Sequence, residues 1–195
     1  MNTGKPKIGV LALQGDFEAH EAALARAGAD SAQVRTAGEL EGVDGLVIPG
    51  GESTTMLKLL HIENLFEPLK RFGETKPIFG TCAGAILLAS EVANPKQESL
   101  GLMDITVERN AYGRQLDSRI VPLDPEDRQR LAADEIEAVF IRAPVIKRVG
   151  NEAKVLARYQ NDPVLVEQGR HLVATFHPEL TKDPRIHKLF VDKVR

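Results

Sequence analysis

Glycines two residues before and two residues after Cys82 constrain this chain more tightly than any other feature. The segment Phe79-Gly80-Thr81-Cys82-Ala83-Gly84 follows Lys76-Pro77-Ile78-Phe79, a short apolar run read as a buried strand. It precedes Ala85-Ile86-Leu87-Leu88-Ala89, read as the opening of a helix. A strand passing into a helix without a loop makes a sharp turn whose side chain is crowded by its own backbone, so small neighbours are needed. Free cysteine is by default a small buried hydrophobe. Here it sits at a helix N-terminus, where unpaired N–H groups and the macrodipole favour a thiolate. Cys82 is read as a nucleophile held above the sheet.

The first half of the chain alternates strand and helix. Strands are expected at 8–13, 32–35, 45–48 and up to Phe79, and helices at 17–27, from Ser53 or Thr54 to Leu60, and at about 65–72. Ser53 or Thr54 is expected to cap its helix. The second half reads as strands at 105–109, 118–123, 136–142, 154–160, 164–168 and 171–175, with hairpin turns at Asn161-Asp162 and Gly169. Only 125–133 and the tail from about Arg185 look helical there. Alternation of this kind implies an α/β fold with helices on both faces of a mixed sheet that is parallel in its first half. No linker, repeat or low-complexity tract interrupts it, so residues 1–195 are read as one domain.

Composition sets the outer bounds. Charged residues make up 27% and hydrophobic residues 43%, ordinary for a soluble globular protein. A net charge of -3 gives no reason to expect nucleic acid. One cysteine allows neither an intrachain disulfide framework nor a cysteine-based zinc site, which points to a reducing interior. The N-terminus has no apolar stretch behind its two lysines, and no segment approaches membrane-spanning length. The expectation is a cytoplasmic protein with no membrane contact and no metal.

A partner for the thiol lies near the C-terminus in Phe176-His177-Pro178-Glu179. Proline restricts the residue before it to extended conformations. In extended backbone His177 and Glu179 point to one side, so Glu179 can accept the imidazole N–H and set the tautomer. His20, His61 and His187 fall in helical segments, where a solvated face is the default, and His171 follows a hairpin turn. Pro49-Gly50-Gly51-Glu52-Ser53 can be read as a phosphate cradle, but no Gly-Lys-Ser/Thr follows it. The other reading places the Gly51 N–H beside the Ala83 N–H as an oxyanion hole, each such donor being worth about 3 kcal/mol. Arg109 and Arg142 are solvated by default, or else hold a substrate carboxylate.

Taken together these segments resemble the class I glutamine amidotransferases, and more narrowly the glutaminase subunit of the two-protein pyridoxal 5′-phosphate synthases. Gly80-Thr81-Cys82-Ala83-Gly84 and the His-Pro-Glu segment are shared across many glutaminases. The narrower likeness rests on residues 10–17, on Pro49-Gly50-Gly51-Glu52-Ser53-Thr54 and on Glu108-Arg109-Asn110-Ala111-Tyr112-Gly113-Arg114-Gln115. It rests also on Phe140-Ile141-Arg142-Ala143-Pro144, and Phe176-His177-Pro178-Glu179-Leu180-Thr181 completes the match. The resemblance implies a three-layer, flavodoxin-like fold with a mostly parallel central sheet, and hydrolysis of L-glutamine by Cys82, His177 and Glu179. It implies an oxyanion hole from Gly51 and Ala83, and glutamine held by Gly51, Glu52, Ser53, Arg109, Ile141 and Arg142. Gln14 would be an accessory residue coupling partner docking to the active arrangement. No cofactor is implied. The implied partner is the synthase barrel, one glutaminase on each synthase subunit, receiving ammonia directly. Rival readings are the glutaminase of another amidotransferase, such as imidazole glycerol phosphate synthase, a non-catalytic docking subunit, and a thiol peptidase.

Overall fold

A computed structural model describes residues 4–110, 119–132 and 135–195. The expected motif residues Ala111 to Gln115, the first residue of the 118–123 strand and the last of the 125–133 helix lie outside that set. The apolar runs become strands β1 (Lys7–Leu11), β2 (Asp30–Val34), β3 (Gly45–Ile48) and β4 (Ile78–Thr81). Between them run α1 (Phe17–Arg26), α2 (Ala37–Glu41), α3 (Ser53–Ile62) and α4 (Phe66–Thr75). After β4 come α5 (Ala83–Leu88), β5 (Ala89–Ala93), β6 (Met103–Glu108), β7 (Arg119–Pro125), α6 (Arg128–Leu131), β8 (Ile136–Phe140) and β9 (Val145–Val149). The chain ends with β10 (Lys154–Tyr159), β11 (Asp162–Gln168), β12 (His171–Ala174), a 3₁₀ turn at Pro178–Leu180 and α7 (Arg185–Val194).

Nine strands form one sheet in the order β2-β1-β3-β4-β12-β11-β10-β7-β8. The stretch β2-β1-β3-β4-β12 is parallel, and from β12 outward the pairings are antiparallel. Strand order reverses on either side of β1, the switch at which open α/β sheets place ligands beyond the carboxyl ends of their strands. Side chains alternate between two cores. Leu46 and Ile48 of β3 face one built with α2 to α5, while Val47 faces the other, built with Leu24 of α1 and Ile186, Leu189 and Phe190 of α7. Helices therefore cover both faces, giving three layers.

The mixed central sheet is as expected from sequence, but a second sheet accompanies it. β5, β6 and β9 form a separate three-stranded sheet, with β5 and β6 parallel and β6 and β9 antiparallel. Its Val92, Ile105, Val107 and Ile146 close the core on the α2–α5 side. The expected helix over 125–133 is also shorter. β7 runs on to Pro125, and α6 keeps four residues, capped by the Asp127 carboxylate on the Arg130 N–H. The β10–β11 hairpin turns through Gln160 and Asn161, both at positive φ, and the β11–β12 hairpin through Gly169.

Candidate active site

The turn at Cys82 is as tight as its glycines require. Cys82 sits at φ 49°, ψ -103°, a conformation that L side chains rarely adopt and that costs on the order of 1–3 kcal/mol. A Cβ on Gly80 would lie 2.5 Å from the Gly84 carbonyl, and one on Gly84 would lie 2.2 Å from the Ile48 oxygen. The strand and helix pack so closely that only glycine fits at either place. The Cys82 N–H donates to the Ala174 carbonyl at 2.9 Å, tying the turn to β12. Ala83 opens α5, so its N–H has no intrahelical acceptor. At six residues α5 supplies a weaker dipole than a longer helix would.

β12 then delivers the imidazole. Three residues past its end, the His177 N–H donates to the Val139 carbonyl of β8 at 2.8 Å. His177 Nδ1 lies 2.7 Å from Glu179 Oε1. The pairing was expected from extended backbone, and there the structure differs. Pro178 to Leu180 form a 3₁₀ turn with Pro178 at its first residue, and the turn folds the Glu179 carboxylate back under the ring. Glu179 is buried. Among the described residues His177 Nε2 has no hydrogen-bond partner of ordinary geometry. Burial works against a charged His177, but the Cys82 sulfur and then the Glu179 carboxylate outweigh it and raise the ring to about 10. Cys82 and Glu179 thus both stand beside the ring.

Gly50 makes that proximity possible. A Cβ there would stand 2.5 Å from His177 Cε1 and 3.2 Å from Cys82 Cβ. It was read from sequence only as part of a glycine-rich loop. Gly51 takes φ 139°, a Cβ on it would stand 2.8 Å from Gln14 Nε2, and Gln14 Nε2 donates to the Glu52 carbonyl at 2.7 Å. Gln14 therefore pins the loop that bears Gly51.

A cleft of about 340 Å³ opens over these groups, small among ligand sites. Gly51, Glu52, Ser53, Cys82, Arg109, Ile141, Arg142 and His177 all line it, so every residue expected to hold substrate reaches one place. Gln14 and Ala83 are not part of its lining, and Ile86, Asn110 and Pro144 complete the wall. Two side chains have other work. Glu52, not Ser53 or Thr54, caps α3, accepting from the Thr54 and Thr55 N–H groups at 2.9 and 2.7 Å. Desolvation pushes its carboxyl up, yet those bonds overcome it and hold the group at about 2. The Ser53 hydroxyl donates to Gln97 Oε1 at 2.9 Å. Arg109 donates to Thr54 Oγ1 at 2.7 Å and lies 3.3 Å from Glu52. Arg142, at φ 44°, is exposed and makes no ion pair among the described residues.

The other histidines correct the sequence reading. His20 and His187, expected on solvated helix faces, are fully buried. His171 is buried too, its Nδ1 accepting the Ile78 N–H at 3.2 Å. His61 stays exposed against Glu98. Among the described residues no cluster of His, Cys, Asp or Glu could hold a metal ion, and no helix is long and apolar enough to cross a membrane.

The chain is similar to known proteins. The SNO glutamine amidotransferase family model matches residues 10–195. The pyridoxal 5′-phosphate synthase subunit PdxT of Solibacter usitatus (strain Ellin6076) is 62% identical over 190 residues, covering 96% of this chain and 99% of that protein. The PdxT subunit of Koribacter versatilis (strain Ellin345) is 56% identical, covering 97% and 96%. A crystal structure of a glutamine amidotransferase superposes with a TM-score of 0.87 at 46% identity, covering 96% of this chain and 98% of that one. A chain in the structure of PurLQS from Thermotoga maritima gives 0.72 at 16% identity, covering 98% and 100%, a likeness of fold alone.

Proposed function

The chain belongs to the SNO glutamine amidotransferase family, and from that premise we propose that it is the glutaminase subunit of a pyridoxal 5′-phosphate synthase. It hydrolyses L-glutamine to L-glutamate and ammonia in the cytoplasm, as a single domain. The ammonia passes to a partner synthase barrel, one glutaminase docked on each synthase subunit. Direct transfer has a chemical reason, since ammonia in neutral water is mostly ammonium and no longer a nucleophile. The observation that carries the reading is the His177 ring, bonded at Nδ1 to Glu179 and lining the same cleft as Cys82.

Cys82 sulfur attacks the side-chain carboxamide carbon, and the carbonyl oxygen takes the electron pair. The Gly51 and Ala83 amides stabilise that oxygen. A histidine whose ring holds its proton near neutral pH has it ready for the departing nitrogen. His177 therefore protonates the leaving group, ammonia departs, and a glutamyl thioester remains on sulfur. Water then attacks the thioester carbonyl while His177, now neutral, takes its proton. The C–S bond breaks, glutamate leaves, and the sulfur is again a thiolate beside the protonated His177 ring. Glu179 keeps Nδ1 protonated so that Nε2 does the work at both steps. Gly51, Glu52, Ser53, Arg109, Ile141 and Arg142 hold glutamine. Since the Glu52 carboxylate and Ser53 hydroxyl are bonded within the protein, their contacts to substrate run through the backbone.

The test is a glutamate-release assay on the chain with and without the synthase subunit, with Cys82→Ala as the control. Release is expected to rise on adding the partner and to vanish in Cys82→Ala, which still forms the complex. Release by that variant above the uncatalysed background contradicts the assignment.

A further inference from the structure

Behind Glu179 lies a second pair of imidazoles that the proposed hydrolysis leaves without a role. His20 of α1 and His187 of α7 are fully buried, with His20 Nδ1 and His187 Nε2 2.9 Å apart. On its other side His20 Nε2 lies 3.1 Å from Thr81 Oγ1 and 3.4 Å from Glu179 Oε2. The Phe79 ring makes T-shaped contacts with both imidazoles. Glu179 Oε2 and His187 Nδ1 are both buried, and neither has a hydrogen bond of ordinary geometry among the described residues.

Only one arrangement of protons leaves no buried N–H orphaned. Suppose His20 carried its proton on Nδ1 and gave it to His187 Nε2. His187 would then hold its own proton on Nδ1, where nothing accepts it, and His20 would turn a lone pair toward the Glu179 carboxylate. With both protons on Nε2 the conflict disappears. His187 Nε2–H donates to His20 Nδ1, and His20 Nε2–H is shared between Thr81 Oγ1 and Glu179 Oε2. A bare acceptor at His187 Nδ1 costs less than a buried donor and a repelled carboxylate together. Both rings are held neutral in the fold, first by burial. The shared N–H explains a 3.4 Å approach just short of a full bond.

We propose that His20 is a positioning residue for the hydrolysis proposed above, gripping the second oxygen of Glu179 while His187 locks its tautomer. One oxygen of Glu179 orients His177, and the other is anchored through His20 to Thr81, the residue before Cys82. The carboxylate is thereby fixed against the same turn that presents the sulfur, and the ring between them cannot rotate freely. The inference rests on the role given to Glu179, and its test separates the two.

The first measurement needs no activity. In a long-range proton–nitrogen spectrum of the wild-type chain, both His20 and His187 are expected as Nε2–H tautomers. His20 protonated on Nδ1 overturns the proposal whatever the enzyme does. The second measurement is kinetic, in the complex with the synthase subunit. His20→Leu is expected to lower kcat about tenfold with KM within about twofold, and His20→Gln, whose amide N–H stands in for Nε2–H, to restore kcat to within about threefold. A folded His20→Leu with wild-type kcat, or a loss that His20→Gln does not restore, overturns it. If His20→Leu does not fold, the tautomer decides. A wild-type complex that releases no glutamate sinks the hydrolysis reading and leaves the tautomer result standing.

Discussion

One methyl group at position 50 is enough to separate the sulfur from the imidazole. Gly50 does not sit at positive φ, so alanine would be tolerated by the backbone. Its Cβ, however, would stand 2.5 Å from His177 Cε1. Gly50→Ala is expected to lower kcat/KM by about a hundredfold, because small displacements of reacting groups carry costs of that size. A urea midpoint near wild type would show that the loss is geometric, and unchanged kinetics would mean that the ring does not need that space. Glu179→Gln tests the other side of His177. A carboxamide there can no longer hold the Nδ1 proton by charge, so kcat is expected to fall about 10²- to 10⁴-fold with little change in KM. Comparable kcat in that variant would leave Glu179 without its proposed part. Both residues were partly visible in the sequence. Adjacency in the chain paired His177 with Glu179, although the backbone that joins them is a 3₁₀ turn and not a strand. The importance of Gly50 depends on His177, 127 positions away, and no local pattern carries that.

Among the elements, α3 illustrates how a site residue can hold the scaffold. Glu52 supplies two of the cap bonds that start this helix, so Glu52→Ala is expected to cost about 1 kcal/mol of stability, read from the urea midpoint. Glu52→Asp, whose shorter side chain is a strong cap in its own right, should recover much of it. A wild-type midpoint for Glu52→Ala would mean that Ser53 or Thr54 replaces the cap, as first expected from sequence. Strands β1, β3 and β4 were legible because each is an apolar run bounded by glycine or proline. β5, of sequence Ala-Ser-Glu-Val-Ala, was not, since only Ala89 and Val92 are buried and its pairing with β6 is what makes it a strand. β9 follows directly on Pro144 and carries two exposed basic residues, which hid its Val145 and Ile146. α2 did have a signal in Thr36-Ala37-Gly38-Glu39, whose capping box is present in full. Five residues with a glycine inside give too little periodicity to raise it. The exposure of His20 on α1 and His187 on α7 was misjudged for a different reason: both histidines are neutral and paired, so polar residue type stopped predicting exposure.

Across the whole molecule those neutral histidines, together with His171, contribute to the loss of stability in mild acid. Burial lowers His171 to about 4 and His187 to about 3, and holds His20 well below its ordinary value. Their unfolded forms take up protons near pH 6.5, so the stability they preserve is whole above that pH and declines as pH falls toward 4. Each can contribute on the order of 1.4 kcal/mol per pH unit in that window. His177 runs the opposite way, its contribution complete below about 6.5 and lost as pH rises through about 10. Urea midpoints are therefore expected to fall between pH 7 and 5, and a flat profile would show these rings to be charged or exposed. The molecule's one cysteine allows the most direct test of its chemistry. The chain is alkylated to one equivalent with iodoacetamide, freed of reagent, mixed with the synthase subunit and assayed for glutamate release from glutamine. Modification is expected to abolish release in proportion to the Cys82 labelled, and glutamine present during labelling to slow it. Undiminished glutamate release from fully alkylated protein would contradict the account.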